Sequence, residues 1–172
     1  MPDSRPEGDE QEPRAAGKPS PGKNSLVPSA TGIRRAAMDW LARREHCRHE
    51  LEQRLGRRFP GATAAIGPVL DELEHEGLLS DARYVASLVR RRAATGHGPQ
   101  RIRAELRQQG IDGSAATGDV DWLARAREVR TRRFGEALPA DAASRARQMA
   151  FLQRRGFPAG ICRAACLPPR ED

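Results

Sequence analysis

The groups in this chain with most chemical potential are thiols, imidazoles and guanidiniums, and their spacing decides what each could do. Cys162 and Cys166 stand one helical turn apart, and His46 and His49 flank Cys47, residue types that can ligate zinc. The cysteine pair offers too few ligands unless histidines join it, and on a helix His46, Cys47 and His49 point in different directions. No metal is expected, and Cys47 reads as a small buried residue. Gly96-His97-Gly98 lacks the third glycine and the preceding strand of a dinucleotide site, and no Gly-x-x-x-x-Gly-Lys phosphate loop occurs. Serines are scarce beyond the N-terminal segment and none sits in a nucleophile elbow. His46, His49, His75 and His97 have no evident carboxylate or cysteine arrangement that would activate a nucleophile. Asp71, Glu72, Glu74 and Glu76 spread around a solvated helix face. The expectation is no catalytic residue, no cofactor and no enzyme.

What remains is arginine, whose planar fork grips phosphate or carboxylate with two hydrogen bonds. The candidates for a partner surface are Arg90, Arg91, Arg92, Arg101, Arg103, Arg107, Arg154 and Arg155, each of which could also be an ordinary solvated helix residue. Formal charge is −1 over residues 1–30, 0 over 31–79, +3 over 80–120 and +5 over 121–172. The surplus therefore belongs to residues 80–172, the last two of the three expected repeats, and it points to a polyanion or an acidic protein surface. Only Lys18 and Lys23 are lysines, so arginine usage typical of a GC-rich genome is the other reading of the same surplus.

The elements that must position these arginines follow from two matching strings, Arg101-Ile102-Arg103-Ala104-Glu105-Leu106-Arg107-Gln108-Gln109-Gly110-Ile111 and Arg147-Gln148-Met149-Ala150-Phe151-Leu152-Gln153-Arg154-Arg155-Gly156-Phe157. Both read as a basic amphipathic helix stopped by glycine and followed by an apolar residue that folds back on it. A weaker copy, Glu50 to Phe59, lies about fifty residues upstream, a spacing that signals stacked repeats. Ile33, Ala37, Trp40 and Leu41 mark a first helix from Thr31, its N-cap, to about Arg44. Leu51 and Leu55 mark a second helix, and Ile66, Val69, Leu70 and Leu73 a third, ending at Gly77. A fourth, capped by Ser80 or Asp81, carries Tyr84, Val85, Leu88 and Val89 inward and ends in Arg90-Arg91-Arg92, cations that suit the helix C-terminus. Pro99 opens the fifth. A short or frayed helix is due over Asp112 to Val120. Trp122, Leu123, Ala126 and Val129 begin the next unit, Pro139 opens a helix that ends in the second string, and Pro158 opens the last, with Ile161, Ala165 and Leu167. No alternating strand pattern appears. The fold class is all-α: three tandem three-helix repeats, 31–79, 80–120 and 121–168, in an elongated array of nine helices.

Residues 1–30 carry six prolines and only Leu26 and Val27 as large aliphatics, so they are expected to form a disordered tail. The segment has no apolar stretch of the secretory kind, and no stretch of the chain approaches the roughly twenty apolar residues that span a bilayer. With three cysteines arguing for a reducing compartment and against a disulfide framework, a soluble cytoplasmic monomer with no membrane partner is expected.

Several strings, collinear from about Ile33 to Leu167, resemble the RecX family of recombination regulators. They are Leu41-Ala42-Arg43-Arg44-Glu45-His46 with Glu50-Leu51 and Leu55, Gly77-Leu78-Leu79-Ser80-Asp81-Ala82-Arg83-Tyr84-Val85, Gly96-His97-Gly98-Pro99-Gln100-Arg101-Ile102 with Glu105-Leu106 and Gly110-Ile111, and Phe134-Gly135 with Phe151-Leu152-Gln153-Arg154-Arg155-Gly156-Phe157. The chain departs from the family pattern at Cys47, where serine is usual, at Ser80, where an acidic residue or asparagine is common, and at Gly113 and Gly118, which erode the last helix of the middle repeat. The resemblance implies three tandem three-helix repeats that lodge in the groove of the RecA filament on DNA, restrain its growth and lower strand exchange, ATP hydrolysis and co-protease activity. It implies RecA as partner and DNA contact mainly through the filament. The rival reading is a helical DNA-binding protein that acts without RecA. Against it, aromatics able to stack on bases are few, and Trp40 and Trp122 lie on inner stripes.

Overall fold

The computed structural model describes residues 29–113, 118 and 120–168. The expected tail up to residue 28 and most of the segment due to form a helix after Asp112 lie outside these residues. Eight helices are described: α1 (Ala30–Leu41), α2 (Arg48–Arg58), α3 (Thr63–His75), α4 (Asp81–Ala94), α5 (Pro99–Gln108), α6 (Trp122–Phe134), α7 (Ala142–Arg154) and α8 (Ala159–Ala165). Among the described residues there is no strand. Where the ninth helix was expected, Asp112, Gly113, Gly118 and Val120 are not helical.

Helix starts follow local chemistry. Ser29, rather than Thr31, caps α1 by accepting from Gly32 N at 3.2 Å, which places the start two residues earlier and leaves Thr31 inside the first turn. Ser80 caps α4 through Arg83 N, Asp121 caps α6 through Ala124 N, and Asp141 caps α7 through Ser144 N. Pro139 is buried but outside the helix, because α7 begins only after the Asp141 cap. Helix α3 contains Pro68 on its exposed side, so the Ala64 carbonyl it leaves without a helical donor faces water.

The two matching strings end as their glycines dictate. Gly110 (φ +73°) and Gly156 (φ +91°) adopt the left-handed conformation, with Ile111 N donating to Leu106 O at 3.0 Å and Phe157 N to Leu152 O at 3.2 Å. The upstream copy does not share this stop, since Gly56 lies inside α2 and lacks positive φ. Leu106 and Leu152 are fully buried equivalents.

Burial divides the chain unevenly. The helices α1, α2 and α3 enclose one core around Ile33, Leu51, Leu55, Leu70 and Leu73. A second core runs through α4 to α8, joining Leu88, Ile102, Leu106, Trp122, Leu152, Phe157 and Cys162. The middle and last repeats therefore fold around common apolar contents. Cys47, contributed from the loop before α2, belongs to that second core and bridges to the first repeat. Trp122 is buried as expected, whereas Trp40 is half-buried with the Arg54 guanidinium 4.4 Å above its ring. The carboxylates of α3 are exposed yet engaged: Arg48 meets Asp71 at 2.7 Å and Glu74 at 2.8 Å, and Arg34 lies beside Glu72 and Glu76.

Candidate functional site: a guanidinium-lined joint between repeats

Two glycines bring the middle and last repeats together backbone to backbone. Gly98 N donates to Arg155 O at 2.8 Å and Gln100 N to Gly156 O at 3.0 Å. A Cβ on Gly98 would stand 2.4 Å from the Gly156 carbonyl carbon, and one on Gly156 would stand 2.6 Å from Arg101 Cβ. Only glycine permits either approach. A neighbouring constraint acts at Gly96, where a Cβ would meet Val129 Cγ2 at 2.9 Å, so α6 packs on the same turn.

This packing assembles arginines that are remote in sequence. Arg101 on the first turn of α5, Arg154 and Arg155 at the end of α7, and Arg132 and Arg133 on the last turn of α6 line two adjoining clefts of about 230 and 460 Å³, which share Phe151 and Arg155. Among the described residues no carboxylate lines either cleft. Arg155 is held in place: its Nη1 donates to Thr95 O at 3.2 Å, and its guanidinium lies 5.2 Å from the Phe151 ring centroid. Phe134 in turn meets Phe151 edge to face at 5.3 Å. His97 registers the local potential. Burial first, then the charges of Arg101, Arg92 and Arg155, push its imidazole below the ordinary 6.5, so it is neutral at neutral pH. Its Nδ1 shares a 3.0 Å hydrogen bond with Thr95 Oγ1. The arrangement suits an anion, because several guanidinium forks face one concavity without an internal counter-charge.

The eight candidate arginines divide accordingly. Arg101, Arg154 and Arg155 meet at the joint. Arg92 is taken up inside the middle repeat, where Nε and Nη2 grip the Glu105 carboxylate at 2.8 and 2.6 Å. Arg90 and Arg91 are exposed near the end of α4, ahead of the turn that reaches the joint. Arg103 and the exposed Arg107 lie on a different side of α5 from Arg101, two residues being about 200° around a helix. Gly113 packs on that side, where a Cβ would lie 3.5 Å from Arg103 Cα. Sequence reading missed Arg132 and Arg133, although a signal was present: Arg132-Arg133 precedes Phe134-Gly135 much as Arg154-Arg155 precedes Gly156.

Neither joint cleft brings together a nucleophile and base, and among the described residues no group of three or more His, Cys, Asp or Glu is placed to hold a metal ion. Burial raises the thiols of Cys47, Cys162 and Cys166, the second to about 11, which makes them poor nucleophiles. No helix among the described residues is long and apolar enough to cross a membrane.

Fold and surface together define a tandem three-helix-repeat protein with a basic face where two repeats join. Comparison with known proteins is specific about which one. Residues 80–117 match the family description "RecX, second three-helix domain" and residues 119–166 match "RecX, third three-helix domain". The Regulatory protein RecX of Halorhodospira halophila (strain DSM 244 / SL1) is 48% identical over 151 residues, covering 84% of this chain and 92% of its own. That of Pseudomonas entomophila (strain L48) is 48% identical over 140 residues, covering 78% and 89%. In fold, the crystal structure of RecX from Lactobacillus salivarius superposes with a TM-score of 0.66 at 21% identity, over 79% of this chain and 93% of that one. The chain belongs to the RecX family of regulatory proteins.

Proposed function

We propose that this protein binds RecA nucleoprotein filaments in the cytoplasm and restrains them, lowering strand exchange, ATP hydrolysis and co-protease activity in recombination, repair and the SOS response. The joint between the middle and last repeats supplies the main contact. The observation that carries this reading is the convergence of Arg101, Arg132, Arg133, Arg154 and Arg155 on clefts with no carboxylate among the described residues of their walls. A filament groove offers phosphate and acidic protein surface side by side, and either satisfies such forks. Arg90, Arg91, Arg103 and Arg107 extend the contact along the middle repeat. Arg92 acts indirectly, by fixing α4 on α5 through Glu105. The protein acts as a monomer without cofactor, and its contact with DNA is made through the filament.

The test is steady ATP hydrolysis by RecA on single-stranded DNA. Arg132→Glu with Arg133→Glu, and Arg101→Glu with Arg154→Glu, should each keep the helical spectrum and weaken inhibition by roughly tenfold or more. Arg90→Glu with Arg91→Glu should have a smaller effect. Inhibition should also fall as salt rises. Full inhibition by both folded joint variants would move the contact elsewhere. Parallel loss of tight binding to naked DNA would favour the independent DNA-binding protein instead.

A further inference from the structure

On the last repeat, on the same helix as Arg132 and Arg133, a second cationic site is built around a buried arginine. Arg130 on α6 is 4% exposed. Its Nη1 donates to Ala137 O at 2.8 Å and approaches Gln148 Oε1 at 3.5 Å, and its Nη2 donates to Glu136 O at 3.0 Å and Thr131 Oγ1 at 3.2 Å. All these partners are neutral, and Arg130 has no ion pair among the described residues. Its Nε is buried without any partner, as is Nε of Arg145. A buried guanidinium normally faces a carboxylate, since neutral oxygens replace only part of its lost hydration. The group near both arginines is the Cys166 thiol, which burial keeps protonated and uncharged.

Arg130 lines a cleft of about 310 Å³ between α6, the α6–α7 turn and the end of α8. Arg127 adds a second guanidinium, and Leu138 and Leu167 add apolar walls. Those leucines are 41% and 39% exposed, two of the few large aliphatic side chains left open to water. The one carboxylate in the wall, Glu136, makes no ion pair with either arginine. A cation without a counter-ion therefore adjoins an uncovered apolar pair, and a ligand complementary to both must carry an anion beside an aliphatic group.

We propose that this cleft binds an acidic, aliphatic peptide segment of a protein partner, with an Asp or Glu carboxylate on Arg127 and Arg130 and a neighbouring aliphatic side chain between Leu138 and Leu167. A nucleic acid backbone matches the charge but has nothing with which to cover the leucines. The full chain should bind a short fluorescein-labelled peptide of alternating Asp and Leu, read by anisotropy. The same peptide with Asn for Asp, or Ser for Leu, should bind roughly tenfold more weakly or worse. Arg127→Gln, and Leu138→Ser with Leu167→Ser, each change side chains at the cleft that make no internal ion pair, and each should cut affinity to a similar degree with the helical spectrum unchanged. The joint variant Arg101→Glu with Arg154→Glu, whose residues line neither wall of this cleft, should bind the peptide as the natural chain does, which separates this site from the proposed filament contact. The proposal fails if the Asn peptide binds equally, if the cleft variants retain full affinity, or if the joint variant alone loses it. It also fails if labelled oligothymidylate binds and loses affinity in the cleft variants while the peptide does not bind.

Discussion

At the scale of single residues, identical motifs carry unequal loads because their surroundings differ. Gly110 and Gly156 both stop a helix at positive φ, but nothing would crowd a Cβ on Gly110, whereas one on Gly156 would press into Arg101. Gly110→Ala should therefore cost about 1 kcal/mol for the left-handed backbone alone. Gly156→Ala adds backbone displacement at the repeat joint and should cost about 2 to 4 kcal/mol. Urea unfolding of the two variants measures the difference, and equal losses would contradict the close approach.

Acid stability is set by another residue cluster. His46 is 2% exposed, with Nδ1 3.0 Å from Glu50 Oε2 but poorly aligned for a hydrogen bond. Burial chiefly holds its imidazole below the ordinary 6.5. The folded state thus resists a proton that the unfolded chain accepts, so stability falls as pH drops below about 6.5. Burial alone would raise the Glu50 carboxyl, but the Arg44 hydrogen bond, followed by the charges of His46 and Arg44, outweighs it and holds the group below 4.5. Its contribution is present above that value and is lost as pH falls through the folded pKa. Denaturation midpoints should decline in two stages, and His46→Gln should remove the first. A natural chain equally stable at neutral pH and just above the Glu50 range would refute the assignment.

At the scale of elements, the three repeats are joined in two different ways. The middle and last repeats share a core and the Gly98–Gly156 backbone contact. The first repeat has its own core, and much of its connection is polar: Arg48 N donates to Asp81 Oδ1 at 2.8 Å, Arg83 Nε meets Glu45 Oε1 at 2.9 Å, and Cys47 Sγ donates to Gln109 Oε1 at 3.6 Å. Asp81 thereby caps α2 from another repeat, and Asp81→Ala should cost about 1 kcal/mol. Native-state hydrogen exchange should show α4 to α8 opening as one unit and α1 to α3 as a separate one, with Asp81→Ala lowering protection at the start of α2. Uniform opening of all eight helices would show that the polar connection is as strong as the shared core.

At the scale of the whole molecule, the described helices provide both cores and both cationic sites. Because the composition of residues 1–28 offers little apolar area to offset ordering entropy, deleting them should leave the melting temperature and RecA inhibition essentially unchanged. Loss of inhibition in a truncated chain that melts normally would make the segment a working part. Deletion should likewise leave binding at the Arg130 cleft intact.

The sequence alone determined the helical class, the stops at Gly110 and Gly156, the burial of Leu106 and Leu152 and the family resemblance, because helix period, capping and glycine conformation act over a few residues. It also located the basic surplus in residues 80–172. Tertiary structure decided which arginines share a surface, since α6 packing on α7 brings Arg132 to Arg155, and Arg101 meets Arg154 and Arg155 only when Gly98 and Gly156 touch. It withdrew Arg92 into an ion pair with Glu105 and buried Arg130 among carbonyls. Such pairings depend on how helices cross and which loops stack, and local periodicity contains neither distance.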